Sequence, residues 1–416
     1  MKFDELKELL FARGNFGMKL GLERMQEACA LLGNPERGAP ALHVAGTNGK
    51  GSTCAFAESA LRAAGLRTGL YTSPHLNHFC ERIRIDGEPI SEDRACALLE
   101  DIRARVPWAL GDPGLTFFEI VTLMGFLAFR DVDVRVIEVG LGGRLDATNV
   151  LQPRACAVTA LGLEHTQYLG PTLAQIAAEK AGIFKPGAPA VTAGQPRAAA
   201  AVLDERARAV GVPLWRAGRD YQFESREGRP FCYAGPGWTV RAEPGLAGHH
   251  QRANAAVACA LLEASGLCEA GHAEAGLRSA AWPARLERFG EVYVDGAHNP
   301  HAARALARAI RPLLDGRPLR LVFGALRDKD AGGMLEFLAP LAQSIHYCVP
   351  DSPRALRPEE LVRIRPGQPH ASVAAALAAA RSEQGIVLAC GSLYLAAEVR
   401  ALLRGEQPER MPSERL

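Results

Sequence analysis

Short apolar runs alternate with longer amphipathic segments through the first half of the chain. The runs are too short for a helical period and predict buried strands. They lie at residues 41–45, 68–71, 134–139, 155–160 and 188–193. Strands that alternate with helices are typical of a doubly wound sheet, so we predict an α/β fold.

A second α/β pattern follows in the C-terminal part of the chain. Its predicted strands lie at 292–294, 319–323, 345–349 and 386–389. Between the two patterns, residues 215–246 combine Gly, Pro and aromatic residues with short alternating segments, which predict a small antiparallel β appendage. Residues 280–283 have the composition of a connector. We therefore predict an N-terminal domain at 1–280 and a C-terminal domain at 281–416.

The segment after the first predicted strand has the composition of a phosphate-binding loop. Its residues are Gly46, Thr47, Asn48, Gly49, Lys50, Gly51, Ser52 and Thr53, and an amphipathic helix follows at 54–64. Glycines let the main chain approach a ligand, and the N–H groups and dipole of a helix N-terminus favour negative charge. Lys50 would then lie on the outer phosphates of a nucleotide. A Gly/Asn turn before a capped helix is the structural alternative.

This loop departs from the standard Walker A pattern at two positions. Val44 stands where the first glycine is expected, and Gly51 takes the place of the Ser or Thr after the lysine. Ser52 and Thr53 are displaced by one position. We therefore expect the hydroxyl that holds magnesium to come from another segment.

Polar loops follow several of the predicted strands, notably at 72–75 and 138–143. Because ligands in open α/β sheets bind at the carboxyl ends of strands, we expect these loops to converge on one crevice. Glu138 ends a buried strand, where an uncompensated carboxylate is costly and a magnesium ion would offset its charge. A strand-end surface position is the equally weighted alternative for Glu138.

Further candidates come from single residues that follow other predicted strands. Glu164 and His165 follow the strand at 155–160, and Lys180 lies on the next predicted helix. Taken alone, a single histidine is more often structural, and a helical lysine is more often a solvated surface charge. Asp295 and His298 follow the strand at 292–294, as a nucleotide-contacting loop from a closing domain would.

Composition and charge narrow the class of partner. The 416 residues carry a net charge of +2, with 23% charged and 48% hydrophobic residues, which favours a globular protein without a nucleic-acid or membrane partner. Residues 1–7 lack the apolar core of a signal peptide, and the longest apolar run, at 120–129, is half the roughly 20 residues of a membrane span. The ten cysteines contain no C-x-x-C pair. We expect a cytoplasmic protein without disulfides or zinc.

Lysine is rare in this chain, since only seven of its 48 basic residues are lysines. A lysine that persists among arginines is a candidate for amine chemistry, because only lysine can lose its proton at an accessible pKa. The composition therefore marks out Lys50, Lys180, Lys185 and Lys329.

Together, these segments resemble the folate branch of the Mur ligase superfamily, which comprises folylpolyglutamate synthase and the bifunctional dihydrofolate synthase. The resemblance spans most of the chain and rests on an ordered series of matches. They are residues 20–24, 46–53, 73–76, 116–119, 138–149, 165–166, 179–183, 254–256, 285, 295–300 and 391–394.

The resemblance implies an ATP-dependent ligase that joins L-glutamate to a folate or dihydropteroate carboxylate through an acyl phosphate. It also implies a P-loop ATPase-like N-terminal domain and a Rossmann-like C-terminal domain that closes over the nucleotide. Arg285 would lie near the γ-phosphate and His298 near the nucleoside. The implied nucleotide contacts are Thr47, Asn48, Gly49, Lys50, Gly51, Ser52, Asn254, Arg285, Asp295 and His298.

Two magnesium sites are also implied by the resemblance. Ser73 and Glu138 would bind the first ion, so that Ser73 supplies the hydroxyl that the phosphate loop lacks. Glu138, His165 and Lys180 would serve the second ion, with Lys180 carbamylated by CO2. Lys50, Glu138, His165 and Lys180 are thus the implied catalytic residues.

The pterin side of the substrate is implied to lie against two segments, formed by Thr116, Phe117, Phe118, Glu119, Leu145, Asp146 and Ala147. One motif departs from the family's common form. Where the family commonly has Asp-His-Thr-Asp-Trp, residues 164–168 read Glu-His-Thr-Gln-Tyr, which retains the metal-binding histidine.

A Mur-type ligase that acts on a UDP-muramyl substrate is the nearest alternative, and Gly51, His250 and Gln251 favour the folate branch over it. A nucleotide-dependent switch that binds a protein partner is an alternative from another class. Both dihydrofolate synthase and folylpolyglutamate synthase fit the sequence, because acceptor choice depends on pocket shape. We expect a monomer whose partners are ATP, L-glutamate and a folate or dihydropteroate.

Overall fold

The computed structural model describes residues 1–13, 21–112, 114–224, 226 and 228–406. Leu20, at the start of one segment that carries the family resemblance, lies outside the described residues, as do Ser225 and Glu227 of the predicted appendage. The helices are α1 (Phe3–Ala12), α2 (Glu23–Leu31), α3 (Lys50–Ala63), α4 (Glu92–Arg105), α5 (Phe117–Ala128), α6 (Thr166–Leu169), α7 (Leu173–Ala181), α8 (Arg197–Val210), α9 (His249–Ser265), α10 (Ala270–Ser279), α11 (Pro300–Leu314), α12 (Ala331–Leu338), α13 (Pro358–Ile364), α14 (Val373–Ser382) and α15 (Leu393–Arg404).

The strands are β1 (Ala41–Ala45), β2 (Thr68–Tyr71), β3 (Ile83–Ile85), β4 (Glu88–Pro89), β5 (Val134–Glu138), β6 (Ala155–Val158), β7 (Ala190–Thr192), β8 (Leu214–Arg216), β9 (Gln222–Phe223), β10 (Cys232–Ala234), β11 (Thr239–Arg241), β12 (Glu287–Phe289), β13 (Val292–Val294), β14 (Leu319–Phe323), β15 (Ala342–Tyr347), β16 (Gln368–Pro369) and β17 (Ile386–Cys390). Short 3-10 helices span Pro35–Arg37, Phe79–Arg82, Ala147–Val150 and Ala339–Leu341.

The larger sheet has eight strands in the order β4-β3-β2-β5-β1-β6-β7-β8. The six strands β2, β5, β1, β6, β7 and β8 pair in parallel with their neighbours. Strands β3 and β4 add an antiparallel hairpin at the β2 edge. Strands β1 and β5 are buried at every residue, as expected for parallel strands covered by helices on both faces. The carboxyl ends of β2, β5, β1 and β6 lie side by side, so the loops that follow them meet at one edge.

Helix α3 begins at Lys50, directly after the phosphate loop, and packs against α9 and α10. The contact with α10 is close because Gly276 faces Ala60 of α3. A Cβ on Gly276 would overlap the Ala60 backbone and lie 2.8 Å from the Ala60 Cβ. This close packing fixes α3, and therefore the direction in which its N-terminus points.

The C-terminal domain contains a six-stranded sheet of order β12-β13-β17-β14-β15-β16. The strands are parallel except in the β12–β13 pair. Side chains of α11 and α12 pack in one core beside this sheet, and those of α14 and α15 pack in another. The domain is doubly wound, as predicted, and its polar loop at 295–299 follows the carboxyl end of β13.

The predicted β appendage is a three-stranded antiparallel sheet of order β11-β10-β9. Its buried Tyr221, Phe231 and Tyr233 share a core with α9 and β1. The appendage starts later than predicted, because residues 215 and 216 belong to β8 and pair with β7 of the large sheet. Within the described part of the chain, no helix has the length and apolar character needed to span a membrane.

The predicted α/β fold class is confirmed, and each strand predicted from an apolar run is present. The ends differ most at β15, which was expected at 345–349 but begins at Ala342. The first three residues of β15 are exposed or half-exposed, so the apolar pattern does not mark them. Strands of two or three residues, such as β4 and β16, are too short to produce a detectable period.

Gly276→Ala tests the close packing of α10 on α3. In an exposed helix this change stabilises by roughly 1 kcal/mol. Here the added methyl group would overlap the Ala60 backbone, so we expect the free energy of unfolding to fall by about 1–3 kcal/mol in chemical denaturation. Gly271→Ala in the same helix is the matched control, since nothing lies within 4 Å of its added methyl group. A stability loss of equal size in both variants would contradict this packing explanation.

Candidate active site

The phosphate loop makes two turns that leave no room for a side chain. Gly46 and Gly49 have φ values of 153° and 92°. A Cβ on Gly46 would overlap the Thr159 hydroxyl, and a Cβ on Gly49 would overlap the Asn254 amide. Glycine is therefore required at both positions by backbone conformation and by space.

Backbone hydrogen bonds attach this loop to the segment after β6. The N–H groups of Thr47 and Asn48 donate to the Ala160 carbonyl at 3.2 and 3.1 Å. The Thr47 hydroxyl donates to the Gly162 carbonyl at 3.1 Å. The phosphate loop and the loop that carries His165 are thus held in a fixed relation.

Lys50 is the first residue of α3, and its side chain folds back over the phosphate loop. Its Nζ donates to the carbonyls of Gly46 and Thr47 at 3.2 and 3.4 Å. The Ser52 and Thr53 hydroxyls are buried and have no hydrogen-bond partner among the described residues. Buried hydroxyls without partners at a helix N-terminus are suited to a polar, anionic ligand.

Ser73 and Glu138 meet at the carboxyl ends of β2 and β5. The Ser73 N–H donates to the Glu138 Oε2 at 3.2 Å. Burial raises the pKa of Glu138, although the nearby charge of Lys50 acts in the opposite direction. The positive charges around Glu138 do not fully offset the effect of burial, so a bound cation would stabilise the ionised carboxylate.

His165 lies in the loop after β6, and Lys180 lies on α7. His165 has a left-handed backbone, with φ of 50°, and burial lowers its pKa to about 4, so its ring is neutral at pH 7. Lys180 is 5% exposed and its Nζ donates to the Gly46 carbonyl at 2.9 Å. Burial, followed by the charge of Lys50, lowers the pKa of Lys180 to about 7. The alternative of a solvated surface lysine is therefore wrong.

Arg285 enters the cleft from the C-terminal domain on an unusual turn. It lies between Ala284 and Leu286, which have left-handed φ values of 52° and 50°. The Asp295 carboxylate accepts hydrogen bonds from the N–H groups of Leu286 and Ala297 at 2.8 and 2.9 Å. Burial raises the pKa of Asp295, and the charge of Arg285 opposes this rise. Such strained backbone persists where surrounding contacts hold it, as Asp295 does here.

A cleft of about 370 Å³ lies between the two domains. This volume is within the range of about 300–1,000 Å³ that small-molecule sites occupy. Lys180 does not line the cleft, and its Nζ contacts the phosphate loop at the Gly46 carbonyl. The predicted residues that line the cleft are Thr47, Asn48, Gly49, Lys50, Gly51, Ser52, Ser73, Glu138, His165, Asn254, Arg285, Asp295 and His298.

The first predicted pterin-side segment is the capped start of α5. The Thr116 hydroxyl accepts from the Glu119 N–H at 3.2 Å, and the Glu119 carboxylate accepts from the Thr116 N–H at 2.8 Å. Glu119 also pairs with Arg24 at 2.9 Å. Phe117 is buried in the core, and Phe118 packs against it partly buried. None of these four predicted residues lines the cleft, and their contact with substrate stays a prediction.

The second predicted pterin-side segment also makes hydrogen bonds to residues close to it in the chain. The Asp146 carboxylate accepts from the N–H groups of Leu141 and Thr148 at 2.8 and 3.0 Å. Burial raises the pKa of Asp146. Ala147 is part of the core and Leu145 is half-buried. These residues hold the loop after β5 in shape, and their contact with substrate stays a prediction.

Several cleft residues were missed by the sequence reasoning: Arg82, His301, Ala305, Leu306, Leu326, Asp328 and Arg354. Arg82 is 1% exposed, and its Nε donates to the His75 Nδ1 at 2.8 Å. Nothing in the pattern around Arg82 marks burial. The available signal for His301 was its place in the first turn of the helix after the Asp295 loop.

The described residues contain no group of three or more His, Cys, Asp or Glu side chains able to hold a metal ion. Of the predicted metal set, only Glu138 and His165 belong to those residue types, and Ser73 and Lys180 complete it. Magnesium prefers oxygen ligands and retains several from water or phosphate. Ser73 and Glu138 offer oxygen donors that lie together in the cleft and fit magnesium, whereas His165 offers a ring nitrogen and Lys180 does not line the cleft.

Two family models match the chain in the order of its domains. The Mur ligase middle domain matches residues 44–262, and the Mur ligase, glutamate ligase domain matches residues 284–393. Relatives agree with these matches. The dihydrofolate synthase/folylpolyglutamate synthase of Bacillus subtilis is 35% identical over 97% of this chain and 99% of its own length. A probable bifunctional folylpolyglutamate synthase/dihydropteroate synthase of Halobacterium salinarum is 40% identical, and the chain spans 51% of that longer protein.

Solved structures agree as well. The structure of E. coli FolC in complex with DHPP and ADP has a TM-score of 0.90 and 34% identity, covering 97% of this chain and 98% of that one. The bifunctional folylpolyglutamate synthase/dihydrofolate synthase of Yersinia pestis, complexed with AMPPNP and Mn ion, has a TM-score of 0.85 and 35% identity over 93% of this chain and 94% of that one. The chain therefore belongs to the folylpolyglutamate synthase/dihydrofolate synthase family, the ATP-dependent glutamate ligases of the Mur ligase superfamily.

Proposed function

We propose that this chain forms an amide bond between the amine of L-glutamate and a carboxylate of dihydropteroate or folate, driven by ATP. The observation that carries this proposal is that Lys50 and Arg285, which come from opposite domains, line one cleft together with Glu138 and His165. The E. coli neighbour with DHPP and ADP supports the acceptor class and the nucleotide.

The chemistry requires a carboxylate to be activated before an amine attacks it. A carboxylate oxygen accepts the γ-phosphoryl group, which gives an acyl phosphate and ADP. The glutamate amine then forms a C–N bond at the acyl carbon, loses a proton, and the C–O bond to phosphate breaks. Lys50 and Arg285 donate hydrogen bonds to phosphoryl oxygens, where negative charge is concentrated. Closure of the C-terminal domain excludes the water that would hydrolyse the acyl phosphate.

The proposed nucleotide contacts centre on the phosphate loop. The backbone from Thr47 to Ser52, at the N-terminus of α3, surrounds the β- and γ-phosphates, as an anion site at a helix N-terminus does. Asn254 lies against Gly49, and Asp295 and His298 face the nucleotide from the second domain. The ADP and AMPPNP complexes of the neighbours support this assignment.

Two magnesium sites complete the proposal. Ser73 and Glu138 would hold one ion, and Glu138, His165 and Lys180 would serve the other. When bound, the ions would neutralise charge on the phosphoryl oxygens. The buried Glu138 carboxylate is the type of donor that magnesium prefers, and the neutral His165 ring has a nitrogen lone pair free to face a divalent cation. The Mn ion in the Yersinia neighbour supports a divalent cation.

Lys180 is proposed to carry a carbamate. Its burial lowers the pKa to about 7, so near neutral pH a large fraction of the amine is unprotonated and nucleophilic. The amine nitrogen attacks CO2, an N–C bond forms, and one proton is released to solvent. The product is a carboxylate, which supplies the oxygen ligands that a magnesium site needs.

We further propose that the protein acts as a monomer in the cytoplasm. The ten cysteines are all free and mostly buried, which suits a reducing compartment. The domain limits of 1–280 and 281–416 remain part of this proposal, as does contact of residues 116–119 and 145–147 with the pterin. Light scattering would test the monomer.

The acceptor proposal is tested by supplying ATP, magnesium and L-glutamate with one acceptor at a time. With dihydropteroate, tetrahydrofolate or a monoglutamylated folate, we expect product masses that increase by one glutamyl residue, because the cleft activates a carboxylate and admits an amine. Mass spectrometry reads the product. Glutamate-dependent phosphate release with a UDP-muramyl acceptor alone would refute the folate assignment and support the Mur-type alternative.

Lys180→Ala tests the carbamate. We expect ligase activity to fall about a hundredfold or more, because the proposed second metal site loses a ligand. The affinity for ADP should stay within about threefold, since Lys180 lies below the phosphate loop rather than on the cleft wall. Steady-state assays and titration calorimetry give the two values. Unchanged activity would remove Lys180 from the mechanism.

The pH dependence of the carbamate follows from the lowered pKa of Lys180. Because CO2 reacts with the neutral amine, the carbamate should increase as the pH rises through about 7 and decrease below it. Carbon NMR with isotope-labelled bicarbonate measures this signal directly in the free protein. Lys180→Arg is the control, since an arginine keeps its charge at every accessible pH and should give no signal. A signal that persists in Lys180→Arg would assign the carbamate elsewhere.

A further inference from the structure

A carboxylate of the N-terminal domain is held by three side chains of the C-terminal domain. Glu164 Oε1 lies 3.1 Å from the His298 Nε2, 3.3 Å from the Lys329 Nζ and 3.2 Å from the Asn299 Nδ2. The Glu164 and Lys329 side chains are only 10% and 14% exposed. Lys329 has a second carboxylate nearby, that of Asp328, at the longer distance of 3.9 Å. An ion pair this shielded is screened by salt much less than a surface pair.

The same contact network reaches the phosphate loop. The amides of Asn48 and Asn299 donate to each other, at 3.1 and 3.3 Å, and the Asn48 Nδ2 lies 2.8 Å from the His301 Nδ1. Asn299 is itself fixed, because its side chain caps α11 by accepting from the Ala302 N–H at 2.8 Å. Asn299 therefore joins the phosphate loop, Glu164 and the C-terminal domain in one set of contacts.

These contacts lie where an opening of the cleft must break them. Glu164 precedes His165 in the loop after β6, whereas Lys329 lies in the loop between β14 and α12. Within the described residues, the hydrogen-bond and ion-pair partners of the Glu164 carboxylate are His298, Asn299 and Lys329, which all belong to the C-terminal domain. The network therefore exists only when the two domains are together.

The length of the Glu164 side chain gives this contact its reach. A glutamate side chain extends its carboxylate one methylene group further than an aspartate would. In this chain that carboxylate ends at His298, Asn299 and Lys329, on the far side of the cleft.

We propose that Glu164 and Lys329 are positioning residues of the ligase reaction, which form a clamp between the domains. Their ion pair, with Asn299, holds the C-terminal domain on the phosphate loop so that Arg285 and Asp295 face the nucleotide. This inference rests on the proposed function, since it assigns the clamp to the closed state in which the acyl phosphate is protected from water.

A double-mutant cycle tests the clamp. We expect Glu164→Gln and Lys329→Met each to lower kcat about tenfold and to raise the phosphate released per amide formed, because a loosened cleft admits water. The double variant should be no worse than either single variant, since both act through one contact. Additive losses would overturn the proposal. A rise confined to the KM for glutamate in Lys329→Met would also overturn it, because Lys329 would then bind substrate instead.

Two further variants keep the test informative. Glu164→Asp retains the charge but shortens the reach, so we expect the same increase in phosphate released per amide even if Lys329→Met lowers stability. Glu360→Gln is the matched control. It breaks a two-fold hydrogen-bonded pair with Arg327, 2.7 Å at each contact, that lies within the C-terminal domain alone. Its phosphate-to-amide ratio should equal that of the wild type, and an increase as large as that of Glu164→Gln would overturn the proposal.

Closure can be measured without the reaction. Small-angle X-ray scattering of the full chain with AMPPNP and magnesium should show compaction of the wild type and less compaction of Glu164→Gln. Equal compaction would overturn the clamp. Because this measurement needs no acceptor, it stays valid if the wild type makes no glutamylated product, a result that would instead refute the proposed function.

Discussion

The carbonyl oxygen of Gly46 is the point on which the site depends. It accepts hydrogen bonds from the Lys50 ammonium at 3.2 Å and from the Lys180 amine at 2.9 Å. This is possible only because the loop turns at glycines and lies flat against β6 and α9. Burial beneath this loop, and after it the nearby charge of Lys50, lowers the pKa of Lys180, so the shape of the loop also affects the chemistry of that residue.

The C-terminal domain positions its part of the site through a strained turn rather than through a glycine-rich loop. Its part of the site is built from strained backbone at Ala284 and Leu286, held by the Asp295 carboxylate. The two basic residues proposed to bind phosphate come from different domains, since Lys50 belongs to one and Arg285 to the other. In the proposed mechanism, this separation would make catalysis depend on domain closure, which suits an acyl phosphate that water would hydrolyse.

Much of the fold could be predicted from the sequence, because buried parallel strands leave uninterrupted apolar runs such as 41–45 and 134–138. The phosphate loop was recognisable for the same local reason, since its glycines and lysine are contiguous. What could not be predicted depends on distant contacts. Lys180 has the sequence context of a surface helix, and its burial is produced by the Gly46 loop, which lies far away in the chain. Arg82 and the partners of Glu164 are unpredictable for the same reason, because a charged residue does not reveal which domain it will face.

The turn around Arg285 also has a consequence for protein engineering. The Gly296 N–H donates to the Ala284 carbonyl at 2.9 Å, and Asp295 holds the Leu286 N–H, so residues 284–286 move as part of the C-terminal domain. A chimaera of two relatives should therefore be joined before Ala284, within the connector. A junction after Leu286 would take the arginine from one parent and the carboxylate that shapes its turn from the other, and a well-folded hybrid would then have a misdirected guanidinium.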